Sequence, residues 1–281
     1  MHKSGKWARQ ILALQDGEGK WGCFHSLSGS YGEPLTTEQS LRRLQRLGYT
    51  IEDGCIQRAV GYMEDCLVGR KAIPDRREKV QDWDVFTTLM LAAWIRRFTA
   101  DCPAANAVAK KWAGVITGAF DGGGYCHDRY MRAYRDTLGT GPKGGRLIDF
   151  VNFYPLSLVS GCLDAGTEKR MAEYVLGHEE GIYYIYEKRL RELPPEFASR
   201  EASRYLAAME LLAAYPGARP LLGFAAEWLK ENRGDGGKWD LGSKANDKVY
   251  FPLSDDWRRR ETREADCTER IGALLEKLRA V

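Results

Sequence analysis

Asp82 and Asp84 flank a tryptophan and directly precede an apolar run from Val85 to Ile95. A carboxylic acid enclosed by apolar side chains keeps its proton at neutral pH, because burial disfavours the charged form. Such an acid can protonate an alkene or an epoxide, and aromatic faces then stabilise the resulting cation. Asp82 and Asp84 are therefore candidate catalytic acids, with the alternative that either residue caps the N-terminus of the following helix.

Other side chains are candidates for the binding of a ligand in the same cavity. Trp83, Trp94 and Tyr183 could supply aromatic walls. Arg200 and Arg204 lie four residues apart on a predicted helix and therefore share a face, which suits the binding of an anionic group such as a diphosphate or a sugar acid. The alternative is that these arginines are solvated or pair with nearby carboxylates.

A second cluster combines His178, Glu180 and Tyr183 within six residues. Enzymes that cleave glycosidic bonds need a carboxylate pair, or a set of His, Tyr and Arg, in an aromatic cleft. Asp256 and Trp257 form a further acid and aromatic pair that could face this cluster. The cluster therefore predicts, as an alternative, carbohydrate chemistry in which His178 and Glu180 are the catalytic residues.

Recurring glycine turns connect the elements that must position these residues. Each turn carries an acid and a nearby aromatic residue; the acids are Asp16, Asp121, Glu180 and Asp235, separated by 105, 59 and 55 residues. Because the first step is close to twice the others, a copy that lacks the signature is expected near residue 69. A period of this size indicates a repeat architecture.

Apolar residues at helical spacing predict helices over 6–14, 37–47, 53–67, 85–95, 104–117, 150–160, 167–176, 200–214, 221–232 and 261–278. The segment 120–148, rich in glycine and arginine, is expected to be a loop. Short and long connections alternate, and the first and last helices can pair with each other. The sequence therefore predicts a single all-α domain over residues 1–281, a closed α/α toroid of about five helical hairpins with inner and outer rings.

The spacing Gln15-x5-Trp21 resembles the glutamine–tryptophan repeat of squalene and terpene cyclases. The Asp-Gly-Gly-x-Trp/Tyr copies resemble the same superfamily, which includes the β subunits of protein prenyltransferases. This resemblance implies the α/α toroid. Asp82-Trp83-Asp84 resembles part of the Asp-x-Asp-Asp acid motif of class II terpene cyclases, although Val85 occupies the position of the second adjacent aspartate.

Composition limits the classes of function. A net charge of +3 over 281 residues does not indicate nucleic-acid binding, and no apolar run approaches the length of ~20 residues that a membrane span needs. The seven cysteines include no Cys-x-x-Cys pair, so neither a disulfide framework nor a zinc ribbon is expected. We therefore expect a reduced, cytoplasmic protein without a metal or other cofactor.

Taken as expectations, these patterns rank three functions. The first is a terpene-cyclase-like toroid that binds or transforms a small ligand with an apolar body and an anionic or polar head in its central cavity. The second is a carbohydrate-active lyase or hydrolase on an α/α toroid. The third is a non-catalytic scaffold that binds a peptide or a small molecule, so the sequence leaves open whether the protein is an enzyme.

Overall fold

The secondary structure of the chain is helical. The computed structural model describes residues 2–25, 35–79, 82–143 and 149–279, and this part of the chain contains eleven α-helices and no β-strand. The helices are α1 Lys6–Leu12, α2 Thr37–Arg46, α3 Gly54–Leu67, α4 Trp83–Arg96, α5 Pro103–Ala119, α6 His127–Leu138, α7 Phe153–Leu158, α8 Ala165–Gly177, α9 Arg200–Leu212, α10 Gly223–Glu231 and α11 Arg260–Arg279. Two 3-10 helices span Pro216–Leu222 and Ser243–Ala245. The predicted all-α class is confirmed for these residues.

Backbone contacts divide the chain into two compact units. The first unit comprises Met1–Ala109 together with Leu253–Asp255, and the second comprises Lys110–Pro252 together with Asp256–Val281. Both units contain fully buried aromatic and aliphatic side chains. Among the described helices, none has the length and apolar character needed to cross a membrane.

In the first unit, α3 packs against α4. The helix α4 is apolar around most of its circumference, and the segment Leu89–Ile95 is buried throughout, as expected for a helix without a polar face. The helix α2 begins at a capping box: Thr36 accepts from the backbone N–H of Gln39, and the Gln39 side chain accepts from the N–H of Thr36. This arrangement satisfies two backbone donors that a helix start leaves unpaired.

In the second unit, the segment 120–148 differs from its prediction as a loop, because it contains the helix α6. Tyr130 and Tyr134 lie four residues apart and are both buried, and the Tyr134 ring meets the Trp112 ring edge-on at 5.6 Å. The helix ends at Gly139, which has a φ of 73°. Glycine and arginine content therefore concealed an apolar stripe of two tyrosines; residues 144–148 lie outside the described residues.

The helix α7 begins later than Asp149, as the proline within its sequence allows. Asn152 caps it by accepting from the N–H of Tyr154 at 3.0 Å, and Pro155 occupies the third helical position, where no intrahelical donor is needed. Asp149 is thereby left outside the helix, with its carboxylate free to bind other groups.

The predicted glycine turns share one backbone geometry. In each copy, a glycine with positive φ precedes the aromatic residue by two positions; the pairs are Gly19 and Trp21, Gly123 and Tyr125, Gly181 and Tyr183, and Gly237 and Trp239. The N–H of each of these glycines donates to the carbonyl three residues earlier, at 2.8–3.1 Å. Positive φ suits glycine because it has no Cβ, so the turn itself accounts for the repeated residue.

The tryptophans of the first and last copies have matching structural roles. Trp21 donates its indole N–H to the carbonyl of Ile11 at 2.7 Å, and Trp239 donates to that of Leu229 at 2.6 Å. Both rings are buried. The prediction that the aromatic residue packs on a neighbouring helix is confirmed in these two copies. The backbone match pairs Asp16 with Gly234, so the acids of the two copies are offset by one residue.

Candidate functional site

The second unit contains an open pocket of about 660 Å³. Polar and aromatic side chains dominate its lining; they include Asp149, Tyr174, His178, Glu180, Tyr183 and Glu187. Pockets with a few convergent polar groups beside aromatic rings are the usual form of small-molecule sites. This pocket is therefore the candidate functional site.

Two segments that are distant in sequence form the pocket. The N–H of Phe153 donates to the carbonyl of Tyr183 at 3.1 Å, and the N–H of Tyr183 donates to that of Val151 at 3.3 Å. These bonds place the start of the segment, Asp149, beside the end of α8. Because residues four apart share a helix face, Tyr174 and His178 then both face Asp149.

The Asp149 carboxylate is the centre of the cluster. Its Oδ2 atom lies 3.2 Å from His178 Nε2 and accepts the Tyr174 hydroxyl at 2.9 Å, while Oδ1 accepts the N–H of Val151 at 2.8 Å. Burial by itself would raise the pKa of this carboxyl, but the bonds from His178, Val151 and Tyr174 outweigh burial and lower the pKa. Asp149 is therefore held as a carboxylate.

His178 is held at its Nε2 atom. The hydrogen bond to Asp149 raises the pKa of the imidazole, against the opposing effect of burial. Its Nδ1 atom is enclosed and has no hydrogen-bond partner in the described part of the chain. The side chain as a whole is 20% exposed, so His178 presents mainly a fixed, partly positive ring to the pocket.

The second glycine turn supports this cluster from outside the pocket. The Tyr125 ring stacks on the Tyr174 ring, with centroids 4.0 Å apart and planes inclined by 19°. The Tyr125 hydroxyl lies 3.0 Å from Nδ1 of His127. Burial and the nearby Asp149 carboxylate raise the pKa of both tyrosines well above the ordinary value. Both hydroxyls therefore keep their protons, and Tyr174 remains a donor to Asp149.

The third glycine turn forms one edge of the pocket and has little room for other residues. Gly181 has a φ of 61°, and a Cβ atom there would lie 2.2 Å from the carbonyl oxygen of Lys188. Tyr184 has a φ of 70°, an uncommon conformation for a residue with a side chain. The rings of Tyr183 and Tyr184 have centroids 4.0 Å apart. Strained backbone of this kind often occurs at functional sites.

Three of the residues predicted from the sequence meet in this pocket: His178, Glu180 and Tyr183. The other candidates of the second unit do not line it. Arg200 donates from Nε to the carbonyl of Lys244 at 3.1 Å, and Arg204 is exposed on α9. The predicted arginine site for an anionic group therefore does not coincide with the pocket.

Asp256 and Trp257 also lie apart from the pocket lining. Asp256 is exposed and pairs with Arg259 at 2.7 Å. Trp257 is buried, donates its indole N–H to the carbonyl of Ser243 at 3.1 Å, and packs on the Phe251 ring. The structure gives the tryptophan a core position in place of the expected contact with the histidine cluster.

Asp82 and Asp84 belong to the first unit, where neither has the surroundings of a protonated acid. Asp82 caps α4 by accepting from the N–H of Val85 at 3.2 Å. The Asp84 side chain is 76% exposed and pairs with Arg77 at 3.0 Å. An exposed carboxylate beside an arginine favours its charged form, so this geometry corresponds to the capping alternative.

The two tryptophans expected beside these acids are core residues. Trp83 is 9% exposed and packs near the Phe86 ring. Trp94 has no exposed surface, and its indole N–H donates to Glu38 at 3.1 Å. A side chain without exposed surface cannot line a ligand cavity unless its neighbours move, so packing accounts for both residues.

Asp149, Tyr174, Tyr125 and Glu187 were not among the predicted site residues. The signal for Tyr174 was its position four residues before His178 on one helix. The signal for Tyr125 was its place in the second glycine turn, where a tyrosine replaces the buried tryptophan of the outer copies. No sequence pattern pointed to Asp149 or Glu187, because their approach depends on the pairing of residues 151–153 with Tyr183.

The pocket has the chemistry to bind hydroxyl or amino groups and to exchange protons with them. Carboxylates accept hydrogen bonds, tyrosine rings stack on apolar ring faces, and a histidine changes charge near neutral pH. Across the described ranges, no three His, Cys, Asp or Glu side chains are arranged to hold a metal ion. Comparison of the chain with protein-family models, with curated proteins and with solved structures gave no match.

Proposed function

We propose that this protein binds a small polyhydroxylated ligand of the carbohydrate class in the pocket of the second unit. The observation that carries the proposal is the convergence of Asp149, Tyr174 and His178 at one wall of an open polar pocket, with Glu180 and Tyr183 on its lining. Hydroxyl groups of a sugar would donate to the carboxylates, and a sugar ring would stack on a tyrosine face.

In the catalytic form of this proposal, Glu180 transfers the proton. Asp149 and His178 already bind each other, and Asp149 also accepts from Tyr174 and Val151. The Glu180 carboxylate, by contrast, has no hydrogen bond or ion pair in the described part of the chain and lies on the pocket lining. His178 and Asp149 would then orient the ligand and hold a positive charge beside it.

Saturation-transfer NMR with a panel of monosaccharides and short oligosaccharides tests the binding step. We expect binding that is lost in Tyr183→Ala and retained in Glu173→Gln, because Glu173 is exposed on α8 and does not line the pocket. Release of reducing sugar that disappears in Glu180→Gln would support the catalytic form, whereas binding without turnover would support a binding scaffold. The absence of binding to every member of the panel would overturn the proposal.

The arrangement of the helices remains a proposal as well. The recurrence of one turn geometry between helices supports a closed α/α toroid of about five hairpins in a single domain, and the absence of any Cys-x-x-Cys pair supports a reducing, cytoplasmic location. Acid-initiated cyclisation at Asp82 or Asp84 is the prediction with the least support, since one residue caps a helix and the other is exposed.

A further inference from the structure

The charges on the pocket lining restrict the class of ligand further, on the basis of the proposed function. Four carboxylates line the pocket, belonging to Asp149, Glu179, Glu180 and Glu187, and His178 is the only potentially cationic side chain among the lining residues. With His178 protonated, the lining carries four negative charges and one positive charge. No lysine or arginine lines the pocket.

Part of this negative charge is already neutralised within the protein. Asp149 lies 3.2 Å from His178, and Glu179 pairs with Arg189 at 2.9 Å. The Glu179 pair is exposed to solvent, with side-chain exposures of 84% for Glu179 and 40% for Arg189, so it contributes little to binding. The carboxylate of Glu180 has no such cation among the described residues, which leaves it able to bind a charged group of the ligand.

The same lining disfavours an anionic ligand. A carboxylate or phosphate that enters the pocket would approach Glu180 with like charge, and like charges brought together at an interface oppose binding. Arg200 and Arg204, which were expected to bind an anion, are not on the lining. A neutral sugar avoids this repulsion but gains nothing from the unpaired carboxylate.

A positive group gains from both the charge and the aromatic rings. An ammonium ion can pair with a carboxylate and can also lie over the face of a tyrosine, within ~6 Å of the ring centre. Tyr174 and Tyr183 both line the pocket beside these carboxylates. The electrostatic and aromatic features therefore favour the same kind of ligand.

We propose that the natural ligand is an amino sugar, whose hydroxyl groups bind the polar lining and whose ammonium group pairs with Glu180. The pairing sets specificity: it favours a cationic sugar over the neutral sugar of the same shape and rejects the corresponding acid. The open side of the pocket at Glu180, which is exposed, allows an ammonium group to enter without burial of the whole ligand.

Three sugars of matched shape test this inference: D-glucosamine, D-glucose and D-glucuronate, measured by ligand-observed NMR titration. We expect D-glucosamine to bind about tenfold or more tightly than D-glucose, which corresponds to one charged contact, and D-glucuronate to bind least. The preference for D-glucosamine should fall with added salt.

Matched variants identify the residue responsible. Glu180→Gln keeps the size of the side chain and should abolish the preference for D-glucosamine while D-glucose binding is retained. Glu179→Gln, which removes a carboxylate already paired with Arg189, should leave most of the preference intact. Equal or tighter binding of D-glucose or D-glucuronate would overturn this inference alone. Failure of all three sugars, and of the wider panel, would overturn the proposed function together with it.

Discussion

The Tyr125 ring stacks on the Tyr174 ring at 4.0 Å, and this contact connects the second glycine turn to the pocket. In the first and last copies of the turn, the corresponding tryptophan is buried and donates to the carbonyl of the preceding helix. In the second copy the aromatic residue is half-buried and supports a residue that binds Asp149. One turn geometry therefore serves packing in some copies and the candidate site in another.

The first prediction concerns this stack. Tyr125→Ala removes the stacked ring and should lower the free energy of unfolding by about 1–3 kcal/mol, whereas Tyr125→Phe keeps the ring and should cost less than about 1 kcal/mol. Because a loosened Tyr174 donates less well to Asp149, Tyr125→Ala should also raise the pKa of that carboxyl towards its ordinary value. Urea unfolding and carbon-detected NMR of Asp149 measure the two effects; equal behaviour of the two variants would contradict the supporting role.

The second prediction concerns pH. The folded pKa of His178 is raised, so the ion pair with Asp149 stabilises the fold fully below the ordinary histidine pKa of 6.5 and loses this effect as pH rises through the raised value. The Asp149 pKa is lowered, so at the acidic end the effect is lost as pH falls below 3.8 and through the folded value. His178→Gln should therefore cost about 1–2 kcal/mol near pH 5.5 and much less near pH 9.

Chemical unfolding of the wild-type and His178→Gln proteins at both pH values measures this difference. The double variant that also carries Asp149→Asn provides the control, since it should show no further dependence on the histidine. A destabilisation of His178→Gln that is the same at both pH values would show that packing, and not the charge of the pair, is responsible.

The third prediction compares two glycines at the pocket. Gly181→Ala should destabilise the protein by more than about 2 kcal/mol, because φ is positive there and the new Cβ would meet the carbonyl oxygens of Lys188 and Tyr186. Gly177→Ala should be neutral or slightly stabilising, since Gly177 is the last residue of α8 and a Cβ there meets open space. Melting temperatures of the two variants distinguish them, and similar losses would mean that the turn geometry is not required.

The fourth prediction separates the acid and capping roles at α4. Asp82→Ala should cost about 1 kcal/mol, the usual effect of removing an N-cap, while Asp84→Asn should change stability by less than about 0.5 kcal/mol, because its pair with Arg77 is exposed. Turnover of a prenyl diphosphate that is lost in Asp84→Asn without a change in melting temperature would instead support acid-initiated cyclisation. We expect no such turnover.

Local sequence signals determined much of the secondary structure. Thr36 with Gln39, Asp82 and Ser199 each announced a helix start that the structure contains, because capping depends on residues within one turn of each other. The repeated glycine two residues before an aromatic residue likewise announced a turn, because positive φ is a property of a single residue. The helix α6 was missed because its two buried tyrosines lay among glycine and arginine.

Tertiary structure alone decided which residues form the candidate site. His178, Glu180 and Tyr183 were visible as a local cluster, but Asp149 reaches His178 only because the segment 151–153 pairs with Tyr183. Burial separated the other candidates: Trp94 and Trp257 became core residues, while Asp84 became exposed. Residue types and local spacing define what chemistry a side chain can perform, whereas contacts between distant segments define its neighbours, its exposure and its charge.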